Sequence, residues 1–166
     1  MEINMKTKKL TLTALLTATA LIFGYIESLF PMPLPIPGIK LGLGNIVIMI
    51  AICSLDNKIA LVVMLAKVFI SAMLFASPAA LIYSFSGGIA SLIIMIIMKK
   101  FEFNIICIGM GGGISHNIGQ LICAALILNN INFFYYLPIL IISGSIVGAI
   151  VGIISKSVCK NISSVL

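Results

Sequence analysis

The sequence predicts an all-α polytopic membrane protein: six transmembrane helices in one domain, 1-166. Three observations carry this expectation. Apolar residues fill 61% of the 166 positions and charged residues only 8%, against about 25% charged in soluble domains; too little polar surface remains to solvate a globule. The apolar runs are unbroken, which disfavours a barrel whose strands alternate polar and apolar residues. The lysines, finally, fall where a membrane topology wants them.

Each span has an identifiable stop. A crossing needs about 20 residues, and the runs lie roughly at 10–29, 39–55, 59–76, 79–98, 105–128 and 134–155. Pro31, Pro33, Pro35, Pro37 and Gly38 end the first span, because each Pro fixes φ and removes a donor. Asp56-Asn57-Lys58 separates the second and third, Ser77-Pro78 the third and fourth, Lys99-Lys100-Phe101-Glu102 the fourth and fifth, and Asn129-Asn130-Ile131-Asn132 the last two. The start mimics a signal peptide, with basic residues, Leu10–Leu16 and Ala18-Thr19-Ala20. The apolar run continues to Phe30, however, so a retained first helix is expected.

All ten basic residues are Lys and the net charge is +6. With both termini inside, eight of the ten (Lys6, Lys8, Lys9, Lys58, Lys99, Lys100, Lys156 and Lys160) sit at inner edges. The positive-inside rule is then met at every loop. The basic balance reports topology, and no nucleic-acid partner is expected. The four Cys show no CxxC or zinc spacing and read as small buried apolar residues. One His and no second ligand nearby argue against metal; no phosphate loop, catalytic triad or cofactor motif occurs. The chain is not expected to be an enzyme.

Few ionisable groups remain inside the bilayer: Glu27, Lys40, Lys67 and His116. A charge at a helix centre costs about 2.5–3.5 kcal/mol on insertion scales, so each is a functional candidate. Lys67 lies mid-span, with Ser71 at i+4 on its face; it is either a ligand contact or half of a structural ion pair with Glu27. Thr13, Thr17, Ala20, Gly24 and Glu27 step by 4, 3, 4 and 3, one stripe of small and polar residues that turns Glu27 toward protein. Lys40 opens the second span as interfacial anchor or ligand contact, and Asn45 lies one turn deeper. Gly109, Gly113, His116, Gln120 and Cys123 repeat the same steps in the fifth span, with Asn117 adjoining. Tyr83 enters the fourth span from the outer side. These eight polar residues (Glu27, Lys40, Asn45, Lys67, Tyr83, His116, Asn117, Gln120) are the candidate substrate-binding set. Glu27, Lys40, Tyr83 and Gln120 fall in the outer half, and Lys67 and His116 form the floor. Gly144, Gly148 and Gly152 form a double GxxxG, a helix-packing face.

Several stretches resemble one family. Ile26-Glu27-Ser28-Leu29-Phe30-Pro31 and Pro37-Gly38-Ile39-Lys40-Leu41-Gly42-Leu43 with Asn45, then Tyr83-Ser84-Phe85-Ser86-Gly87-Gly88, then Ser115-His116-Asn117-Ile118-Gly119-Gln120-Leu121, are similar to the Gx transporter family, labelled heptaprenyl diphosphate synthase component I. That family is related to the substrate-binding S components of energy-coupling-factor (ECF) transporters. The resemblance implies a six-helix S-component-like bundle in the bacterial cytoplasmic (inner) membrane, with a pocket near the outer face. It also implies a small-molecule substrate, vitamin-like, with a flavin or quinone precursor as the guess. A coupling transmembrane subunit with ATPase subunits would dock on an AxxxA face, which Ala14 and Ala18 match. The alternatives are an accessory membrane subunit of heptaprenyl diphosphate synthase and a structural membrane subunit of a flavin or electron-transfer assembly.

Overall fold

The computed structural model describes residues 5–29, 42–75 and 77–162. Among them lie six α-helices, one short 3-10 helix and no strand. The helices are α1 (Met5–Leu29), α2 (Asn45–Ser54), α3 (Asn57–Leu74), α4 (Pro78–Lys100), α5 (Ile105–Ile127) and α6 (Leu137–Ile162), with the 3-10 turn Ile131–Tyr136 before α6. All but α2 are long and apolar enough to cross a membrane. The all-α membrane bundle expected from the sequence is what the chain forms.

Local chemistry explains the helix ends. Asp56 caps α3 by accepting from the Lys58 N–H at 3.3 Å, Ser77 caps α4 by accepting from Ala80 at 3.2 Å, and Asn104 caps α5 by accepting from Ile106 at 3.0 Å; each side chain satisfies a backbone donor that the first turn leaves orphaned. Pro78 follows its cap at the first helical position, where a missing N–H costs nothing. Glu102 and Asn129 take positive φ of 58° and 47° just past α4 and α5, the left-handed turn that ends many helices. Within α1 the hydroxyls of Thr11, Thr13, Thr17 and Thr19 donate to the carbonyls four residues back, so none is left bare in hydrocarbon.

The second helix departs from expectation. A span over 39–55 is predicted; the observed helix has 10 residues, about 15 Å long, half of a hydrocarbon core about 30 Å thick. Gly42, at φ +89°, sets the bend from which it starts. Every residue from Asn45 to Ile52 is buried, and α2 packs against all five other helices. It is the axis of the molecule: α1, α3, α4, α5 and α6 follow one another around it, and α1 and α6 do not touch among the described residues. A short helix buried on all faces carries no amphipathic stripe, so its hydropathy cannot be told from that of a full crossing.

Lipid is the natural solvent of the outer faces. Large apolar side chains such as Leu10, Leu15, Met73, Leu126 and Ile142 stand open, as expected where acyl chains replace water. The tightest packing is the α5–α6 seam. A Cβ placed on Gly148 would come within 2.7 Å of the Met110 backbone, and one on Gly152 within 2.6 Å of the Ile106 backbone. The double GxxxG of α6 therefore meets α5 of the same chain through bare backbone. The thiols differ from the expectation of buried Cys: Cys107 is exposed, and Cys53, Cys123 and Cys159 are half-buried.

Candidate functional site

The polar stripe of α1 turns inward. Ala20, Gly24 and Glu27 are buried and Thr13 and Thr17 half-buried, while Ala14 and Ala18 on another face are exposed. Glu27 is 4% exposed. Its Oε1 accepts a hydrogen bond from the Gly42 N–H, so the carboxylate sits at the bend leading into α2, where the positive end of a helix dipole favours an anion. Its Oε2 has no hydrogen-bond partner among the described residues.

Lys67 reaches the same place from α3. A Cβ on Gly24 would lie 3.8 Å from Lys67 Cε, and one on Gly44 would overlap Lys67, with Cε at 2.6 Å. The side chain thus passes between α1 and the first turn of α2 because Gly44 has no Cβ to block it. Asn45, the first residue of α2, is 3% exposed. Its Nδ2 donates to Ser91 Oγ at 3.4 Å, and its Oδ1 has no partner among the described residues.

His116 arrives from α5. A Cβ on Gly42 would be 3.1 Å from its Cδ2, and one on Gly87 would be 3.0 Å from its Nδ1. The ring is therefore walled by backbone on two sides. Gln120 Nε2 lies 2.9 Å from His116 Nε2. The two side chains, one turn apart on α5, are thus hydrogen-bonded to each other.

Gly24, Glu27, Gly42, Lys67, Val68, Ser71, Ser84 and His116 enclose one small cavity. It offers about 10 Å³ for a water-sized body, on the order of a single water. Two roomier hollows, about 280 and 440 Å³, lie instead beside Lys8, Lys9 and Asp56 and beside Asn129 and Asn130.

The predicted residues divide accordingly. Glu27, Lys67 and His116 share the cavity; Gln120 and Asn45 adjoin it through His116 and Gly42. Asn117 is turned to α6, donating to Leu140 O at 2.9 Å and Ser143 Oγ at 3.3 Å. Tyr83 packs in an apolar cluster with Leu121, Ala124 and Leu140. Lys40 lies outside the described residues. Sequence reasoning did not single out Ser84, nor the glycine walls at Gly42 and Gly44; the two glycines flanking Leu43 just before a buried Asn were the available signal. No group of three or more His, Cys, Asp or Glu suited to a metal occurs among the described residues.

Five apolar helices around a buried half-length helix, with charged groups meeting at its start, define a multi-pass helical membrane protein with a polar core. The chain belongs to the family described as heptaprenyl diphosphate synthase component I, whose model matches residues 16–158. No curated protein and no solved structure matches it.

Proposed function

We propose that this chain is a ligand-binding membrane subunit without catalytic activity of its own, acting beside partner proteins. The observation that carries this reading is the convergence of Glu27, Lys67 and His116 on one intramembrane cavity, with buried acceptors Glu27 Oε2 and Asn45 Oδ1 left open among the described residues. Ionisable groups placed this deep are costly, and open acceptors beside them are where a ligand's donors bind.

The family description supports one partner first: the chain is the accessory membrane component of a heptaprenyl diphosphate synthase, holding a small molecule at the bilayer beside a separate catalytic component. Composition supports the accessory role. The whole sequence carries four carboxylates, and Glu2, Asp56 and Glu102 lie at predicted inner edges, away from Glu27. Among the described residues no three His, Cys, Asp or Glu gather as a metal site, whereas Mg²⁺ on a diphosphate calls for clustered carboxylates.

A second reading is favoured by α2. A short helix starting beside buried charged groups is the device by which transporters build sites at membrane depth. On this reading the chain is the substrate-binding subunit of an ECF-type uptake system for a vitamin-like molecule, such as a flavin or quinone precursor. It sits in a bacterial cytoplasmic membrane with both termini inside and docks a coupling subunit, served by ATPase subunits, through Ala14 and Ala18.

Purification of the tagged chain from its native membrane, with mass spectrometry of what accompanies it, tests both readings. A prenyl diphosphate synthase subunit supports the first. A coupling subunit with ATPases and a vitamin-like molecule supports the second. A bound small molecule retained in full by Lys67→Met would remove the cavity from either account.

A further inference from the structure

At the far end of α2 from the polar cavity lies a hollow of a different make. It opens between the start of α1 and the corner that joins α2 to α3, lined by Lys8, Lys9 and Leu12, by Ser54, and by Asp56 and Ile59. It offers about 280 Å³, against about 10 Å³ in the polar cavity; small-molecule sites begin at roughly 300 Å³. Ile59 also packs on the cluster of Ala20, Val47 and Val63, so the floor is apolar. Lys8, Lys9 and Asp56 are exposed and form the rim, which two lysines against one aspartate leave net positive. Asp56 is partly committed, its Oδ1 accepting from the Lys58 N–H as the cap of α3. Neither lysine side chain makes an ion pair or hydrogen bond among the described residues. The 440 Å³ hollow beside Asn129 and Asn130 differs: its described lining holds amides and apolar side chains and no charge.

Two uncommitted cations over an apolar floor suit a phosphate that carries an apolar body. Lysine stems lie along apolar surface and lift their ammonium groups to the interface, and basic hollows between membrane helices on the lysine-rich side hold anionic headgroups. Leu12 lines the hollow, and Leu15, one turn deeper in the span, is 63% exposed; together they offer an acyl chain an open track along α1. A free phosphate would leave that track unused. Asp56 narrows the headgroup, because a carboxylate repels a second anion and accepts from a hydroxyl. We propose that this hollow is a lipid site in the leaflet that the lysine pattern assigns to the inside, taking a singly charged phosphodiester headgroup that bears hydroxyls. The phosphate oxygens lie on the Lys8 and Lys9 ammonium groups and a headgroup hydroxyl on the Asp56 carboxylate. The lipid thereby ties the start of α1 to the corner between α2 and α3.

The experiment takes the full chain in an uncharged detergent and measures retained lipid by native mass spectrometry. The probes are phosphatidylglycerol, phosphatidylethanol (the same charge without hydroxyls) and phosphatidylcholine, with matched acyl chains. The parent chain holds one phosphatidylglycerol about tenfold more tightly than phosphatidylcholine, and more tightly than phosphatidylethanol. Lys8→Gln with Lys9→Gln abolishes the advantage over phosphatidylcholine. Lys100→Gln with Lys156→Gln, which removes the same charge from exposed positions at other helix ends, leaves it intact. Asp56→Asn, which still caps α3, erases the preference over phosphatidylethanol. Millimolar inorganic phosphate does not displace the lipid. Equal losses in the two lysine double variants would reduce the effect to leaflet charge and overturn the site. A parent chain with no preference for phosphatidylglycerol over phosphatidylcholine would overturn it too, in a comparison that needs no variant. Displacement by inorganic phosphate would overturn the lipid assignment, and an unchanged preference in Asp56→Asn the role of the aspartate.

Discussion

The α5–α6 seam and the Glu27 cavity occupy one bundle and are built on opposite terms. Along the seam, glycines on both helices bring backbone to backbone: a Cβ on Gly144 would lie 2.8 Å from Gly113 O, and one on Gly109 2.8 Å from Gly152 N. Dispersion and close approach hold it, as expected where lipid tails remove the hydrophobic drive between helices. Around the cavity, glycines do something else. At Gly44 and Gly87 the missing Cβ makes room for the side chains of Lys67 and His116, and the buried acceptors Glu27 Oε2 and Asn45 Oδ1 remain open among the described residues. The same residue type closes space in one region and reserves it in the other. What separates the two is the neighbour, backbone at the seam and polar side chain at the cavity.

The largest expected effect breaks the seam. Gly148→Leu forces a side chain against the Gly109 and Met110 backbone, which cannot swing aside, and costs about 3 kcal/mol or more. Thermal unfolding in detergent should show it as a large fall in melting temperature. A variant as stable as the parent would mean that the helices are not in backbone contact.

Next comes the residue that sharpens the boundary between the regions. Asn117→Ala removes the two hydrogen bonds to Leu140 and Ser143, at a cost of about 0.5–1.5 kcal/mol for each. Because Asn117 faces α6, the loss should appear in stability and leave bound small molecule per folded protein unchanged. Reduced occupancy without destabilisation would place Asn117 with the cavity instead.

The smallest effect lies outside both. Ala14→Trp with Ala18→Trp alters an exposed face of α1, and stability should change by no more than about 0.5 kcal/mol. Complex formation with a coupling subunit should nevertheless fail if this face is the docking surface. Normal co-purification of a coupling subunit with the double variant would remove the face from the uptake reading.

Much of this organisation is legible in the sequence because hydropathy and breakers act locally. Asp56-Asn57 and Ser77-Pro78 start helices through their own local chemistry, and four of the six runs fall close to the observed elements. The length of α2 was not legible, since the bend at Gly42 interrupts a continuous apolar run. In the last run, Ile131–Tyr136 form a separate 3-10 turn before α6, a distinction that hydropathy does not carry. The shared cavity of Glu27 and Lys67 was foreshadowed by cost alone: two charges in one bilayer demand company. The bond from Gly42 to Glu27 joins residues 15 apart across a Pro-rich stretch, and no periodicity encodes it. His116 and Asn117 were grouped as neighbours in sequence. Successive helical residues do not face each other, so one meets the cavity and the other the seam.

The central claim is that Glu27 and Lys67 belong to a ligand site rather than a structural pair. It is tested most directly by Lys67→Met, Glu27→Gln and the double variant, each measured for melting temperature and for small molecule retained on purification. The account predicts that either single change abolishes retention while the protein stays folded, and that the double change restores nothing. A structural pair gives the opposite record. Each single change would strand a buried charge and cost about 3–5 kcal/mol, the double would recover the lost stability, and retention in the double would equal that of the parent.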